Sequence, residues 1–330
     1  MKYLKYIGVF VIILLIVFYI LFNRKMQVYT KDYFYMDTII TIKFYSCNKK
    51  ESEEIIKDID NIYREYHILT DRYNGYDNVN NIYYINNNND DIGEIVLDSK
   101  LYDLISYADK LSDESNGLFD INLGGVIDVW KKYRDNGDGI PTLLELKKAN
   151  KKNDVKLLDN NKILNNHPNI DLGAISKGYT TKMVAEYLES RGIKYFLINA
   201  GGNVIAGESY DKDCYKIGIQ SPSDNTIAYA LNSKNISVVT SGGYERNYIY
   251  KGVMYHHIIS PKTLFPTNYM KSVTVVTKDS ALGDYLSTTL FLMSIDDGME
   301  FIKKYDAEAL WIDNDDNLIF SEGFSRYEQK

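Results

Sequence analysis

The 330-residue chain has only two cysteines, Cys47 and Cys214, far apart in sequence. That spacing gives no cysteine-based metal cluster and no disulfide framework, and the two thiols are left either to pair or to stay free. An excess of positive charge is missing too: 38 Lys and Arg stand against 45 Asp and Glu, a net charge of −7. Nucleic acid demands clustered cations, so no nucleic-acid partner is expected. The familiar phosphate fingerprints are also absent from the centre of the chain. No G-x-G-x-x-G occurs there, and in G-A-I-S-K-G at 173–178 the lysine precedes the second glycine, where a P-loop has it after.

What is present is ample core-forming material, 45% hydrophobic residues, in a length that holds one large domain or two. Residues 6–23 are free of charge and dominated by Ile, Leu, Val and Phe. At 1.5 Å per residue such a run spans roughly the hydrocarbon core of a bilayer. The following L-F-N-R-K offers no small-residue cleavage site, and no cysteine for lipid attachment occurs before Cys47. The expectation is an uncleaved membrane anchor at 1–26 and a domain at 27–330. Lys2, Lys5 and the amino terminus narrowly outweigh Arg24 and Lys25, which puts that domain outside the cytoplasm. A buried hydrophobic helix is the alternative for the same run.

The rest of the chain is organised around 170–207. A short extended entry ends at Gly173, a helix is expected from about Ser176, and Met183, Val184, Tyr187 and Leu188 share one apolar face up to Gly192. A strand over 195–199 and the turn Ala200, Gly201, Gly202 follow. A helix start carries free N–H groups and the positive end of a dipole, so an anion can sit there with Lys177 supplying charge and Asp171 a carboxylate. A plain buried helix between two strands fits the same residues.

Elsewhere, periodicity predicts a strand over 39–45, amphipathic helices over 51–66 and 99–115, a charged surface helix over 141–152, and two strands around an Asn-rich turn within 154–169. Residues 78–91 read as a loop with one short strand, and 116–126 as a glycine-flanked loop. Strands over 215–220, 228–231 and 236–240 imply an antiparallel portion of sheet. A last strand over 273–277 leads to a helix capped by Asp279 or Ser280, on which Asp284 and Thr288 share a face. Taken alone, an i,i+4 Asp–Thr pair is a solvated or capping pair.

The segments D-L-G-A-I-S-K-G-Y (171–179) and N-A-G-G (199–202) resemble the hallmark of the FAD:protein FMN transferase family, the ApbE family. The resemblance recurs in order in M-D-T (36–38), L-T-D-R-Y (69–73), G-L-F-D (117–120), S-G-G-Y-E-R (241–246), H-I-I-S-P-K-T-L (257–264) and D-Y-L-S-T (284–288). Asp37, Ser260 and Leu264 depart from it, standing for glycine, aspartate and glycine. The resemblance implies an α+β enzyme with mixed or antiparallel sheets and flanking helices. It implies Mg²⁺-dependent transfer of FMN from FAD to a Thr or Ser hydroxyl of an extracytoplasmic acceptor flavoprotein, releasing AMP. Hydrolysis of FAD to FMN and AMP is the neighbouring reaction, and non-catalytic flavin binding is a third reading. By the same resemblance Met36, Tyr73, Leu118, Phe119, Asp120, Asp171, Lys177 and Ile258 line the FAD site. Asp284, the Thr288 hydroxyl and the Ala174 carbonyl hold Mg²⁺, and His257 and Asp284 are catalytic. The chain lacks the S/T-G-A-S/T signature of a flavinylated acceptor.

Overall fold

The structure, a computed structural model, describes residue 6 and residues 25–88, 93–150, 155–224 and 226–327. The expected anchor lies outside the described residues apart from Tyr6 and the stretch 25–26; among the described residues no helix is long and apolar enough to cross a membrane.

An eight-stranded sheet with every pairing antiparallel forms the frame. In spatial order it runs β1 (Gln27–Tyr35), β2 (Thr38–Ser46), β6 (Phe196–Ala200), β7 (Asn203–Ala206), β10 (Ile236–Gly242), β13 (Ser272–Thr277), β14 (Ala307–Ile312) and β15 (Leu318–Phe320). Sequence explains the centre: S-V-T-V-V-T and A-E-A-L-W-I are buried at all six positions, as strands covered on both faces must be. On one face lie α1 (Lys49–Thr70), α3 (Ser99–Glu114), α6 (Ser176–Ser190), α7 (Ser280–Phe291) and α8 (Ile295–Ile302). Ile55, Ile59 and Tyr63 of α1 meet Ile40, Ile42 and Phe44 of β2, while Leu286 and Leu290 of α7 pack with Val273 and Val275 of β13. The hairpin β8 (Tyr215–Gln220) with β9 (Ile227–Ser233) covers the other face, Ile217, Ile219 and Leu231 packing on Val238, Val276 and Leu310.

Smaller pieces complete the site side. They are the ladder β3 (Gly93–Val96), β5 (Lys162–Asn165), β4 (Leu157–Leu158) and the hairpin β11 (Asn247–Tyr250) with β12 (Val253–His256). Helices α4 (Gly124–Asn136) and α5 (Leu143–Ala149) pack together there, α5 opening on a Thr142–Glu145 capping box.

Two expectations need correction. Residues 82–87 form a helix, α2 (Ile82–Asn87), where a loop with one strand was expected. The loop at 116–126 ends in α4, which carries Trp130 and stops at Gly137 in the left-handed region. In both cases tertiary burial overrides weak local pattern: Ile82, Ile85, Val126 and Trp130 are core residues. Asp37 takes its glycine position without disrupting the hairpin. Met36 and Asp37 have φ of 51° and 61° in a two-residue turn that keeps Tyr35 opposite Thr38. Leu264, the other residue standing for glycine, also lies at positive φ, 64°, and is held there by burial against the Trp130 cluster.

Asn81 ties α1 to α2. Fully buried, it caps α2 by accepting from Tyr84 N at 2.9 Å and donates Nδ2 to the carbonyls of Ile68, Asp71 and Asn74 at 3.1, 3.1 and 2.8 Å. Asn81→Ala strands several buried polar groups, each costing about 1–3 kcal/mol. The unfolding free energy should fall by about 2–4 kcal/mol, read in a urea titration as a lower midpoint at unchanged slope.

Candidate active site

The site is built where α6 begins against α7. Asp284 is buried, and both its oxygens are gripped: Oδ2 accepts the Gly178 amide at 2.6 Å and Oδ1 accepts Asn203 Nδ2 at 2.8 Å. Ser280 Oγ in turn donates to Asn203 Oδ1 at 2.7 Å, which fixes the amide's orientation. Position 178 has no room for a side chain. A Cβ there would lie 2.4 Å from the Ser280 carbonyl and 2.7 Å from Asp284 Cγ, so glycine is what lets the two helices approach. Burial pushes the Asp284 carboxyl up from its ordinary value, opposed by Lys177, Asn203 and the Gly178 amide.

Gly178 is the third residue of α6, so its amide is one of the donors that a helix start leaves unbonded, the first helical bond running from Tyr179 N to Ile175 O at 3.0 Å. Here the amide goes to Asp284, and among the described residues the Ala174 carbonyl accepts no backbone hydrogen bond. One turn along α7, Thr288 is half-buried and its hydroxyl likewise has no hydrogen-bond partner among the described residues.

Lys177 reaches from the first turn of α6 to the Gly201 carbonyl at 3.3 Å. Gly201, at φ 59°, is pressed against Thr38, whose Oγ1 would be 2.1 Å from any Cβ there. The β6–β7 turn is thereby placed beside the β1–β2 turn that carries Met36. Gly202 O accepts from Thr240 N at 3.0 Å, and Ser241 Oγ lies 2.8 Å from Ser287 Oγ, which brings the end of β10 onto α7. Arg246 closes the rim by pairing with Asp37 at 3.1 Å.

His257 hangs from Arg246: its amide and its Nδ1 both meet the Arg246 carbonyl, at 3.1 and 3.2 Å. A carbonyl can only accept, so Nδ1 carries the proton and Nε2 keeps a free lone pair. Burial first, then the nearby charges of Arg246 and His256, push its pKa down to about 4. His256 is structural: Nε2 faces the Thr267 carbonyl at 2.7 Å, Nδ1 accepts from Ile258 N at 3.2 Å, and the ring packs edge-on against Phe291.

The remaining expected residues form a second group. Asp171 accepts from Gly173 N at 2.8 Å and pairs with Arg72 at 2.7 Å. Tyr73, 54% exposed, stands with its ring 5.4 Å from the Arg72 guanidinium. The side chains of Leu118, Phe119 and Ile258 are buried in the core, Phe119 edge-on to Tyr285, so these three present only backbone to a ligand. Asp120 holds its own loop by accepting from Asn122 N at 2.8 Å. Met36 is partly buried at its turn, and its amide donates to His67 Nδ1 at 3.3 Å. Three participants escaped sequence reasoning: Asn203, Arg72 and the Gly178 amide. Arg72 and Gly178 stood inside quoted motifs, but nothing in spacing reveals a buried hydrogen bond.

The sequence model of the ApbE family matches residues 36–311. The FAD:protein FMN transferase of Klebsiella pneumoniae is 29% identical over 238 residues, 69% of this chain and 73% of that protein. The FAD:protein FMN transferase of Treponema pallidum is 28% identical, over 69% and 70%. Among solved structures, the ApbE protein of Thermotoga maritima superposes with a TM-score of 0.82 at 25% identity, covering 92% of this chain and all of that one. The flavin transferase ApbE of Vibrio cholerae shares the fold, with a TM-score of 0.77 at 22% identity over 92% of this chain and all of that one.

The His257 environment makes a pH prediction. Its folded pKa, about 4, lies below the ordinary 6.5, so between those values the unfolded chain binds a proton that the folded one refuses. Folding stability contributed by neutral His257 is therefore present above pH 6.5 and lost as pH falls towards 4. An NMR titration of the ring should show His257 still neutral at pH 5.5, and His257→Gln should flatten the acid side of the stability curve. A ring midpoint near 6.5 would contradict the half-buried, Arg246-bonded placement.

Proposed function

Because the chain belongs to the ApbE family, we propose that it is an enzyme transferring the FMN half of FAD to a Thr or Ser hydroxyl of an acceptor flavoprotein, with release of AMP. The observation that carries this reading is the arrangement around Asp284. A buried carboxylate forms one end of the Gly178–Asp284 bond, the Ala174 carbonyl, which accepts no backbone hydrogen bond among the described residues, lies four residues before Gly178, and the unpartnered Thr288 hydroxyl lies one helical turn after Asp284. This all-oxygen donor set suits a hard cation such as Mg²⁺. Ala174, Asp284 and Thr288 would hold it, and its chemistry when bound is neutralisation of charge developing on the pyrophosphate.

The protein's own groups do the rest. Lys177, in the first turn of α6, offers its ammonium at the positive end of the helix dipole to the phosphates. His257, neutral with Nε2 unprotonated, accepts the acceptor hydroxyl's proton as its oxygen bonds to the FMN phosphorus and the bond to the AMP oxygen breaks. The depressed pKa keeps the base unprotonated at neutral pH at a cost in basicity. Tyr73 supplies an exposed ring for stacking, and Asp171, Met36 and the 118–120 backbone line the FAD site. The apolar run at 6–23 would tether the domain to the membrane with its site outside the cytoplasm.

Incubating the full chain with FAD, Mg²⁺ and a candidate acceptor should add the mass of FMN to the acceptor, read by mass spectrometry. Asp284→Asn should lower the labelling rate about a hundredfold or more. Free FMN and AMP without a labelled acceptor would replace transfer with hydrolysis, and undiminished labelling by the variant would remove Asp284 from the site.

A further inference from the structure

Arg72 is the most heavily engaged cation of the described residues, with its side chain only 8% exposed. Nη1 donates to Asp171 Oδ2 at 2.7 Å. Nη2 reaches Asp128 Oδ2 at 2.8 Å, and the Gly124 carbonyl and Asn169 Oδ1 at 3.2 Å each. The four acceptors come from two segments distant in sequence. Gly124 and Asp128 continue the loop of Leu118, Phe119 and Asp120, whereas Asn169 and Asp171 lead into Ala174 and Lys177. Backbone bonds run along the same seam: Gly124 N to Asn169 O at 3.0 Å and Asp171 N to Ile121 O at 2.8 Å. Beside it lies a cavity of about 240 Å³, walled by Arg72, Tyr73, Tyr83, Asn86, Asp128 and Asn169.

We propose that Arg72 is a positioning residue that clamps the 118–128 and 169–173 segments at one fixed separation, so that both present their ligand-facing groups to FAD together. This rests on the transferase reading above. Charge alone does not explain the placement, since one guanidinium faces two carboxylates and leaves the group net negative. What guanidinium supplies is a rigid planar fork in which Nη1 holds Asp171 while Nη2 reaches Gly124, Asp128 and Asn169, four acceptors on the two segments that the three protons of a lysine ammonium cannot all bond in that geometry. The clamp lies at the aromatic, flavin-facing side and not at Asp284. Its loss should therefore weaken FAD binding and leave turnover of bound FAD nearly intact.

The experiment compares full-chain Arg72→Lys and Arg72→Met with wild type. It reads the FAD dissociation constant by flavin fluorescence, KM for FAD and kcat by acceptor labelling, and the melting temperature. Both variants should raise the dissociation constant and KM about tenfold or more while kcat stays within about threefold. Wild-type affinity in Arg72→Lys would reduce Arg72 to a charge and overturn the clamp. So would a fall in kcat at unchanged KM. If neither variant folds, Asp128→Asn decides, because it loosens only the 118–128 side: a threefold or greater loss of FAD affinity supports the clamp and unchanged affinity overturns it. A wild-type protein that binds FAD but labels no acceptor would sink the transferase reading alone, since the binding arm still tests Arg72.

Discussion

The amide of Gly178, a donor that the start of its helix leaves unbonded, is given to Asp284, and the rest of the site depends on that bond. It draws the start of α6 against α7 closely enough that only glycine fits at 178. It also orients a buried carboxylate. Magnitudes show why this arrangement points beyond itself. Two hydrogen bonds to a charged group contribute about 1.5–3 kcal/mol each, whereas burying an ion costs several kcal/mol. The carboxylate is thus left near balance by the protein alone, and the cation of the proposed function would tip it.

Around this bond the sheet acts as a jig. The turns joining β1 to β2 and β6 to β7 are locked by the Gly201–Thr38 contact, β10 is tied to α7 through Ser241 and Ser287, and Arg246 spans from the His257 carbonyl partner to the Asp37 turn. Arg72 performs the corresponding task on the aromatic side, joining the loop before α4 to the loop before α6. The site is therefore assembled from separate stretches of chain scattered between Met36 and Thr288 and tied together by these contacts.

Much of this was legible before any coordinates. Alternating strands, the helix from Ser176, the Gly201–Gly202 turn and the Asp284–Thr288 face all follow from periodicity and turn chemistry, and they stand where expected. Motif resemblance then named most of the residues proposed for the site. What stayed hidden depends on long-range burial. Helix α2 is marked locally by an Asn-rich stretch that reads as loop, and burial of Ile82 and Ile85 together with Asn81, held among three carbonyls of the preceding segment, makes it a helix. Arg72 sits next to Tyr73 in the same motif, yet its partners are 52 to 99 residues away. Leu118 and Phe119 were legible as positions but not as buried side chains.

The central claim is that Asp284, oriented by Gly178 and Asn203, completes an oxygen site for a cation with Ala174 and Thr288. The most direct measurement is the melting temperature of wild type and Asp284→Asn as Mg²⁺ is titrated, because a ligand that binds only the folded state stabilises it by mass action. Wild type should rise steadily with Mg²⁺ concentration above its dissociation constant, and the variant should stay flat. Equal rises in the two proteins would contradict the account and place the cation elsewhere.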